Sequence, residues 1–297
     1  METTTSMSRL VTLQSRKIAA SNLTIPPRSA HWSTLADVCE LLQLGINTKD
    51  ETLDVLFQHR HLKSGQQIYG IGQAFEALYV VNAGYLKTVL FDSEGNERVV
   101  SFPMKGDLLG SDGICADRHS NEVVALTDCD VIVIPFKQLL SLSHACQELE
   151  HLVYRVVSRQ IVQENANLAA LGSLRSDARV ARFLAMEADR HAALNYSSQS
   201  FRLRMTRREI GSYLGLTLET VSRSMTALAA AGIITVDQRD IKILNPLSLR
   251  YLQDPSCISI KKTHTDDASK FPSGSHKAIR PETLKAHSPW AALQLAG

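Results

Sequence analysis

The sequence predicts an α+β chain in three parts: an antiparallel β-domain, a long helical segment, and a compact C-terminal helix-turn-helix unit. Three observations carry this. From about 60 to 135, short β-branched runs are broken by glycines. From about 144 to 193, Gly and Pro nearly vanish and helix formers dominate. From 201 to 250, helix caps, a tight turn and a hairpin follow one another in order.

Residues 1–30 are rich in Ser and Thr and carry Pro26-Pro27, so they are read as disordered. The first domain is expected over 31–143. It opens with a short helix near 34–44, where Leu35, Val38, Cys39 and Leu42 recur at helical spacing. Five apolar runs follow: 78–81, 86–91, 99–102, 123–126 and 131–134. Glycines at 65, 70, 72, 84, 95, 106, 110 and 113 punctuate the region. Short runs with frequent turns indicate an antiparallel sandwich or small barrel. Asp92-Ser-Glu-Gly95-Asn96 is read as a hairpin turn, since Gly and Asn tolerate positive φ.

A helix is expected over 144–172, with Gly172 as its break. Tyr154, Val157, Ile161, Glu164, Leu168 and Leu171 recur at steps of three and four and draw one stripe. The stripe could pack on its own β-domain or pair with a second copy of the chain, as a dimerisation helix. Glu164 is then either a tolerated edge position or a buried acid that weakens self-association and makes it switchable.

The third domain is expected over 173–253. Phe201–Met205 alternates like a strand. Thr206 and Glu209 form a capping box that starts a helix bearing Ile210 and Leu214. Gly215 ends that helix as a left-handed cap, and Thr217 caps the next. Val221, Met225 and Leu228 are the buried side of this second helix, 217–231. Two short helices joined by a Gly-containing turn are a helix-turn-helix, whose second helix reads the major groove of double-stranded DNA. Leu218, Glu219, Ser222 and Arg223 are its outward positions and the expected base readers: Arg223 for guanine, Glu219 for cytosine N4. Thr206, Arg207, Thr217 and Thr220 are the expected phosphate contacts. A hairpin around Asp237–Asp240 completes a winged unit. The tail, 254–297, is Lys-, His-, Ser- and Pro-rich and is read as disordered.

Charge supports this assignment. Residues 200–250 hold eight Lys/Arg against four Asp/Glu, whereas the whole chain is only +2. A local basic excess suits a polyanion. The five cysteines (Cys39, Cys115, Cys129, Cys146, Cys257) are scattered without a C-x-x-C, and they are read as small buried hydrophobes in a reduced, cytoplasmic compartment. No metal site is expected. No run approaches ~18 apolar residues, so no membrane span is expected. The sequence has no G-x-S-x-G, phosphate loop or H-E-x-x-H, so an enzyme is not expected.

These residues resemble the Crp/Fnr family of bacterial regulators over roughly 45–250. The resemblance rests on Thr206–Arg223, on Gly106-Asp-Leu-Leu-Gly110 and on Ile134-Pro-Phe136. It implies a β-roll of the cyclic-nucleotide-binding type, a dimerisation helix and a winged helix-turn-helix. The Fnr branch is the nearer one, because it carries Glu, Ser and Arg where this chain has Glu219, Ser222 and Arg223. The implied target is a palindrome with TTGAT-like half-sites, and whether the protein is an activator or a repressor stays open at this point. The implied polymerase contact is the loop bearing Asp92, Glu94 and Glu97.

Departures from the family bear on the signal. In nucleotide sensors a Gly-Glu-Leu motif grips ribose and an Arg-Ser pair grips phosphate. Here Gly110 is followed by Ser111-Asp112, and the second stretch reads His119-Ser120-Asn121-Glu122. Cyclic AMP is therefore not the expected ligand, with Glu122 placed to repel an anion. Iron–sulfur members need four thiolates. This chain has only Cys39 in its N-terminal part, and the fourth ligand position falls at Ile132, with Cys129 three residues away. No iron–sulfur cluster is expected, and the effector stays open. The competing reading is a small-molecule-binding module with a helical domain that does not bind DNA. That reading gains if Arg207, Arg208, Arg223 and Lys242 fail to share a face with the recognition helix.

Overall fold

The computed structural model describes residues 32–44, 55–145 and 147–253. The segments 1–30 and 254–297, with Cys146 and Cys257, lie outside the described residues.

The β-domain contains β1 (Trp32–Thr34), α1 (Leu35–Leu41), β2 (Leu56–Leu62), β3 (Gln67–Tyr69), β4 (Ala77–Ala83), β5 (Leu86–Phe91), β6 (Glu97–Ser101), β7 (Leu108–Leu109), β8 (Glu122–Ala125) and β9 (Cys129–Pro135). Two sheets form, ordered β1-β2-β9-β4-β7 and β3-β8-β5-β6. The registered pairs are antiparallel, as the short, turn-rich runs predicted.

Strand β4 is buried along Ala77–Val81 because both of its faces are covered. Tyr79 and Val81 point between the sheets, where they meet Ile68, Leu86, Val123 and Val131. Leu78 and Val80 point outward into a second core with Leu35, Val38, Phe57, Ile132 and Val156. α1 supplies part of that outer cover and starts on a capping box at Thr34 and Asp37.

Strand β2 went unread in the sequence, because Gln58-His-Arg-His61 looks like polar loop. It forms because Asp130 on β9 partners the buried His59: His59 Nδ1 donates to Asp130 at 2.8 Å, and the ring's other nitrogen meets the Ser33 hydroxyl at 2.8 Å. His61 and Asn82 also converge on Asp130. A buried polar group is tolerated when it is bonded in this way.

Three helices follow: α2 (Phe136–Ala145), α3 (Gln147–Ser173) and α4 (Ser176–Ala193). Helix α3 runs through Gly172 and stops after Ser173, so Gly172 is not the break. An exposed glycine costs a helix about 1 kcal/mol, too little to end 27 residues of it. The C-terminal unit contains β10 (Ser200–Arg202), α5 (Arg207–Leu214), α6 (Leu218–Ala230), β11 (Ile234–Asp237), β12 (Asp240–Ile243) and α7 (Pro246–Tyr251). Its sheet is ordered β10-β12-β11. β10 is shorter than the expected 201–205 strand, and its chain leaves the sheet where Leu203 N–H bonds to the Arg239 carbonyl.

The C-terminal core is continuous with the β-domain. Val89, Val99 and Phe102 belong to the same buried cluster as Val180, Phe183, Ile210, Met225 and Ile234. Arg190 on α4 ion-pairs with Asp107 and Glu187 and donates to the Phe102 carbonyl at 2.8 Å. Burial pushes the Glu187 carboxyl up, against the pull of Arg190. His191 Nδ1 donates to the Glu187 carbonyl, which leaves Nε2 to accept the Tyr85 hydroxyl at 3.1 Å.

Candidate nucleic-acid interface

Local sequence builds the helix pair. Thr206 caps α5, and its capping box is complete: Glu209 N–H donates to the Thr206 hydroxyl, while Thr206 N–H donates back to the Glu209 carboxylate at 2.7 Å. Gly215 takes the left-handed C-cap at φ 61°. Gly211 is small for a different reason. A Cβ there would lie 2.6 Å from the Leu216 carbonyl oxygen, so a side chain would force the turn open.

Thr217 then caps α6 by accepting from Thr220 N–H. Val221, Met225 and Leu228 are fully buried, as their helical spacing predicted. Ser224 on the same side donates to Asp177 at 2.6 Å and fixes α6 to α4.

The opposite side of α6 faces solvent. Leu218, Glu219 and Arg223 are exposed and Ser222 is half-buried. Steps of three and four residues place Glu219, Ser222 and Arg223 on one face, with Leu218 at its edge. Hydrogen bonds from its own backbone N–H and from Thr217 hold the Glu219 carboxyl below the usual range, with Arg223 and Arg208 adding attraction. An ionised, acceptor-only carboxylate therefore stands beside two guanidinium groups.

The expected cations divide. Arg208 and Arg223 both act on Glu219. Arg207 lines a depression with Thr206, Gln238 and Arg239, the last two from the wing turn, where Gln238 has φ 51°. Lys242 sits between the buried Ile241 and Ile243, so alternation turns it to the opposite face of the wing sheet. Arg208 is one of the cations the sequence places with the recognition helix, whereas Arg239 is missed there, although a basic residue at the wing turn is visible in the sequence. The Thr206 hydroxyl proton is committed to Glu209, and the Thr217 and Thr220 hydroxyls bond to each other at 3.0 Å.

A Crp-like helix-turn-helix domain model matches residues 178–252, and a cyclic nucleotide-binding domain model matches 59–145. The transcriptional regulatory protein btr of Bordetella pertussis is 37% identical over 231 residues, spanning 77% of this chain and 95% of its own. The transcriptional activator protein Anr of Pseudomonas protegens is 33% identical over 216 residues, spanning 73% of this chain and 88% of its own. Among solved structures, FixK2 from Bradyrhizobium japonicum aligns with a TM-score of 0.62 at 26% identity, covering 67% of this chain and 98% of FixK2.

The chain belongs to the Crp/Fnr family of transcriptional regulators. It is a DNA-binding transcription regulator rather than an enzyme.

In this Crp/Fnr regulator two adjacent backbone amides of the β-roll are held by one of its own carboxylates. Asp112 Oδ2 accepts from the backbone N–H groups of Ser120 at 2.8 Å and Asn121 at 3.1 Å. Oδ1 lies 3.4 Å from His119 Nδ1 and 3.4 Å from the Tyr69 hydroxyl, and the His119 and Tyr69 rings stack at 3.7 Å. Two successive amides aimed at one point are an anion nest. Here a carboxylate of the protein, that of Asp112, fills it.

Cys39 and Cys129 are buried in separate cores, whereas Cys115 is exposed and so departs from the expected burial. Among the described residues no three His, Cys, Asp or Glu side chains converge as a metal site. No helix among them is long and apolar enough to cross a membrane.

The helix stripe and the hairpin lie at the surface of the regulator. Tyr154, Ile161 and Leu168 are 63%, 52% and 63% exposed, unusual for residues of this size. Glu164 is exposed beside them, Val157 and Leu171 are half-buried, and Val156 turns the other way into the β-domain core. On the β5–β6 hairpin, the three acids differ. Asp92 accepts from Glu94 N–H, Asn96 N–H and the Asn96 side chain, which holds its carboxyl low. Glu97 pairs with Lys87. Glu94 stands exposed at the tip.

Proposed function

We propose that this regulator works in the cytoplasm as a homodimer, joined through the α3 stripe, on a palindrome with TTGAT-like half-sites. The observation that carries the reading is the outward face of α6: Glu219, Ser222 and Arg223 project together from the N-terminal half of a helix whose other side is fully buried. In the major groove Arg223 donates to guanine O6 and N7 and Glu219 accepts from cytosine N4. Ser222 makes a small polar contact, and Leu218 meets a thymine methyl. Phosphate contacts fall to Arg207 and to the helix N-termini that Thr206 and the Thr217–Thr220 pair cap. Arg208 and Arg239 extend the basic surface on either side.

Fluorescence anisotropy on a TTGAT-like palindrome and on scrambled duplex, at low and high salt, tests the reading. The palindrome should bind more tightly by at least ~10³, and each affinity should fall as salt rises. Equal affinity for both duplexes removes the base-reading assignment.

The signal in this reading is not a cyclic nucleotide. The support is Asp112, whose carboxylate holds the amide pair that a cyclic phosphate would need. RNA polymerase is a proposed partner of the β5–β6 hairpin, through Glu94, whose carboxylate accepts one 3.3 Å bond from the Asn96 amide, rather than through Asp92, which holds the turn together, or Glu97, which is ion-paired with Lys87.

A further inference from the structure

A cavity of about 270 Å³ opens where β5, β6, α3, α4 and α5 meet. It lies on the side of β5 and β6 that faces the C-terminal unit, away from the inter-sheet core, and Asp112 is not among its walls. Its apolar lining comes from Leu90, Val99, Leu168, Phe183, Met186 and Leu214. Three arginines also line it: Arg98, Arg179 and Arg182.

The arginines lack counter-charges. Arg179 donates to the Leu174 and Leu214 carbonyls, and Arg182 reaches the Ala166 carbonyl at 3.5 Å. Among the described residues no carboxylate lies within 4.0 Å of any of the three guanidinium groups. Arg179 and Arg182 are half-buried. A guanidinium carries five N–H donors, so most of theirs remain unused. Half-buried cations without an anion are costly, and a planar fork is matched by a carboxylate. The one acid in the wall is Glu164, whose Oε1 accepts from Gln160, and three cations outweigh it.

We propose that this cavity binds a small molecule with an apolar body and a single carboxylate. The volume is at the small end of ligand pockets and suits a medium-chain or single-ring acid. The apolar body fills the space between Leu90, Leu168 and Phe183, and the carboxylate meets Arg182 and Arg179. Such a ligand touches the sensor strand β6, the stripe helix α3 and the first helix of the DNA-reading pair at once. It would therefore couple to whatever moves those elements relative to one another.

Calorimetric titration of the full chain with octanoate, and separately with octanamide, tests this. Octanoate should bind once per chain, and octanamide, of the same shape without the charge, about tenfold more weakly. Arg182→Gln should weaken octanoate more than octanamide and so narrow or remove that preference. Ala170→Leu places bulk in the cavity wall and should abolish both. Leu90→Trp fills the site from the sensor side and serves if the helix variant folds poorly. The proposal is overturned if neither probe binds saturably, if octanoate and octanamide bind equally, or if octanoate binding survives in a folded cavity-filling variant.

Discussion

The backbone N–H of Val99 donates to the Ser212 hydroxyl at 2.9 Å, across 113 positions of sequence. Val99 lies on β6, the edge of its sheet, and Ser212 on the first helix of the DNA-reading pair. Helix α5 therefore covers a strand edge that would otherwise present an unpaired donor. Ser212→Ala leaves that buried N–H without a partner, which costs about 1–3 kcal/mol. Thermal unfolding should show the loss, and Ser212→Thr, which keeps the hydroxyl, should recover most of it. An unchanged transition in the alanine variant would mean the contact contributes nothing.

The same junction carries a charge pair whose pH limits have a definite sign. Lys87 lies 3.3 Å from Glu209 and also pairs with Glu97. Half-burial alone would raise the Glu209 carboxyl, but bonds from Thr206 and the nearness of Lys87 bring it below its usual 4.5. A depressed acid stabilises the fold above its unfolded value and loses that contribution as pH falls through the folded one. Half-burial likewise opposes the Lys87 ammonium, yet Glu97 and Glu209 hold its pKa above 10.5, so its share persists until strongly alkaline pH. Docking should weaken below about pH 4.5 and above about pH 10.5. Lys87→Met should flatten the acid side of a plot of unfolding midpoint against pH.

Base reading gives a more selective outcome. Arg223→Ala should cost about 1–3 kcal/mol on the palindrome and relax discrimination at one G·C pair. Arg207→Ala should instead weaken every duplex alike and lower the salt slope by about one. Anisotropy on single-base variants of the half-site separates the two. Uniform loss in both proteins would show that Arg223 touches backbone.

The hairpin makes a prediction that divides its three acids. Glu94→Lys should lower transcription from a regulated promoter in a purified system and leave duplex affinity unchanged. Asp92→Asn should act through the turn it organises, seen as lost order at 92–97. Full promoter activity in Glu94→Lys would exclude a polymerase contact there.

What could be read in advance was what is encoded locally. The caps at Thr206 and Thr217, the turn at Gly215 and the Val221–Leu228 face each depend on neighbours within a few residues, so the helix pair was legible down to its ends. Strand β2 was not, because the partner that makes His59 buriable is Asp130, 71 positions away. Asp112 was visible only as a departure. Its bond to the Ser120 and Asn121 amides needs two loops to meet. Lys242 looked like its basic neighbours in a one-dimensional charge count, and strand alternation places it on the wing-sheet face opposite the buried Ile241 and Ile243.

Self-association offers a prediction that depends on a single acid. Tyr154, Ile161 and Leu168 are spaced by seven, and Val157, Glu164 and Leu171 interleave with them at positions a and d of a heptad. In a parallel pair each Glu164 would face its counterpart, so two like charges would share the centre of the seam. Their repulsion and desolvation oppose the gain from the apolar positions. The bond from Gln160 Nε2 to Glu164 Oε1, at 3.2 Å, lies within one helix and does not neutralise the charge. Glu164→Leu should therefore lower the dimer dissociation constant by tenfold or more, on the order of 1.4 kcal/mol. Glu164→Gln should fall between it and the parent. Sedimentation equilibrium measures all three. A Leu variant that dimerises no better would place the seam on another face of α3, and Leu168→Glu, which should abolish a dimer built on this one, would then leave association untouched.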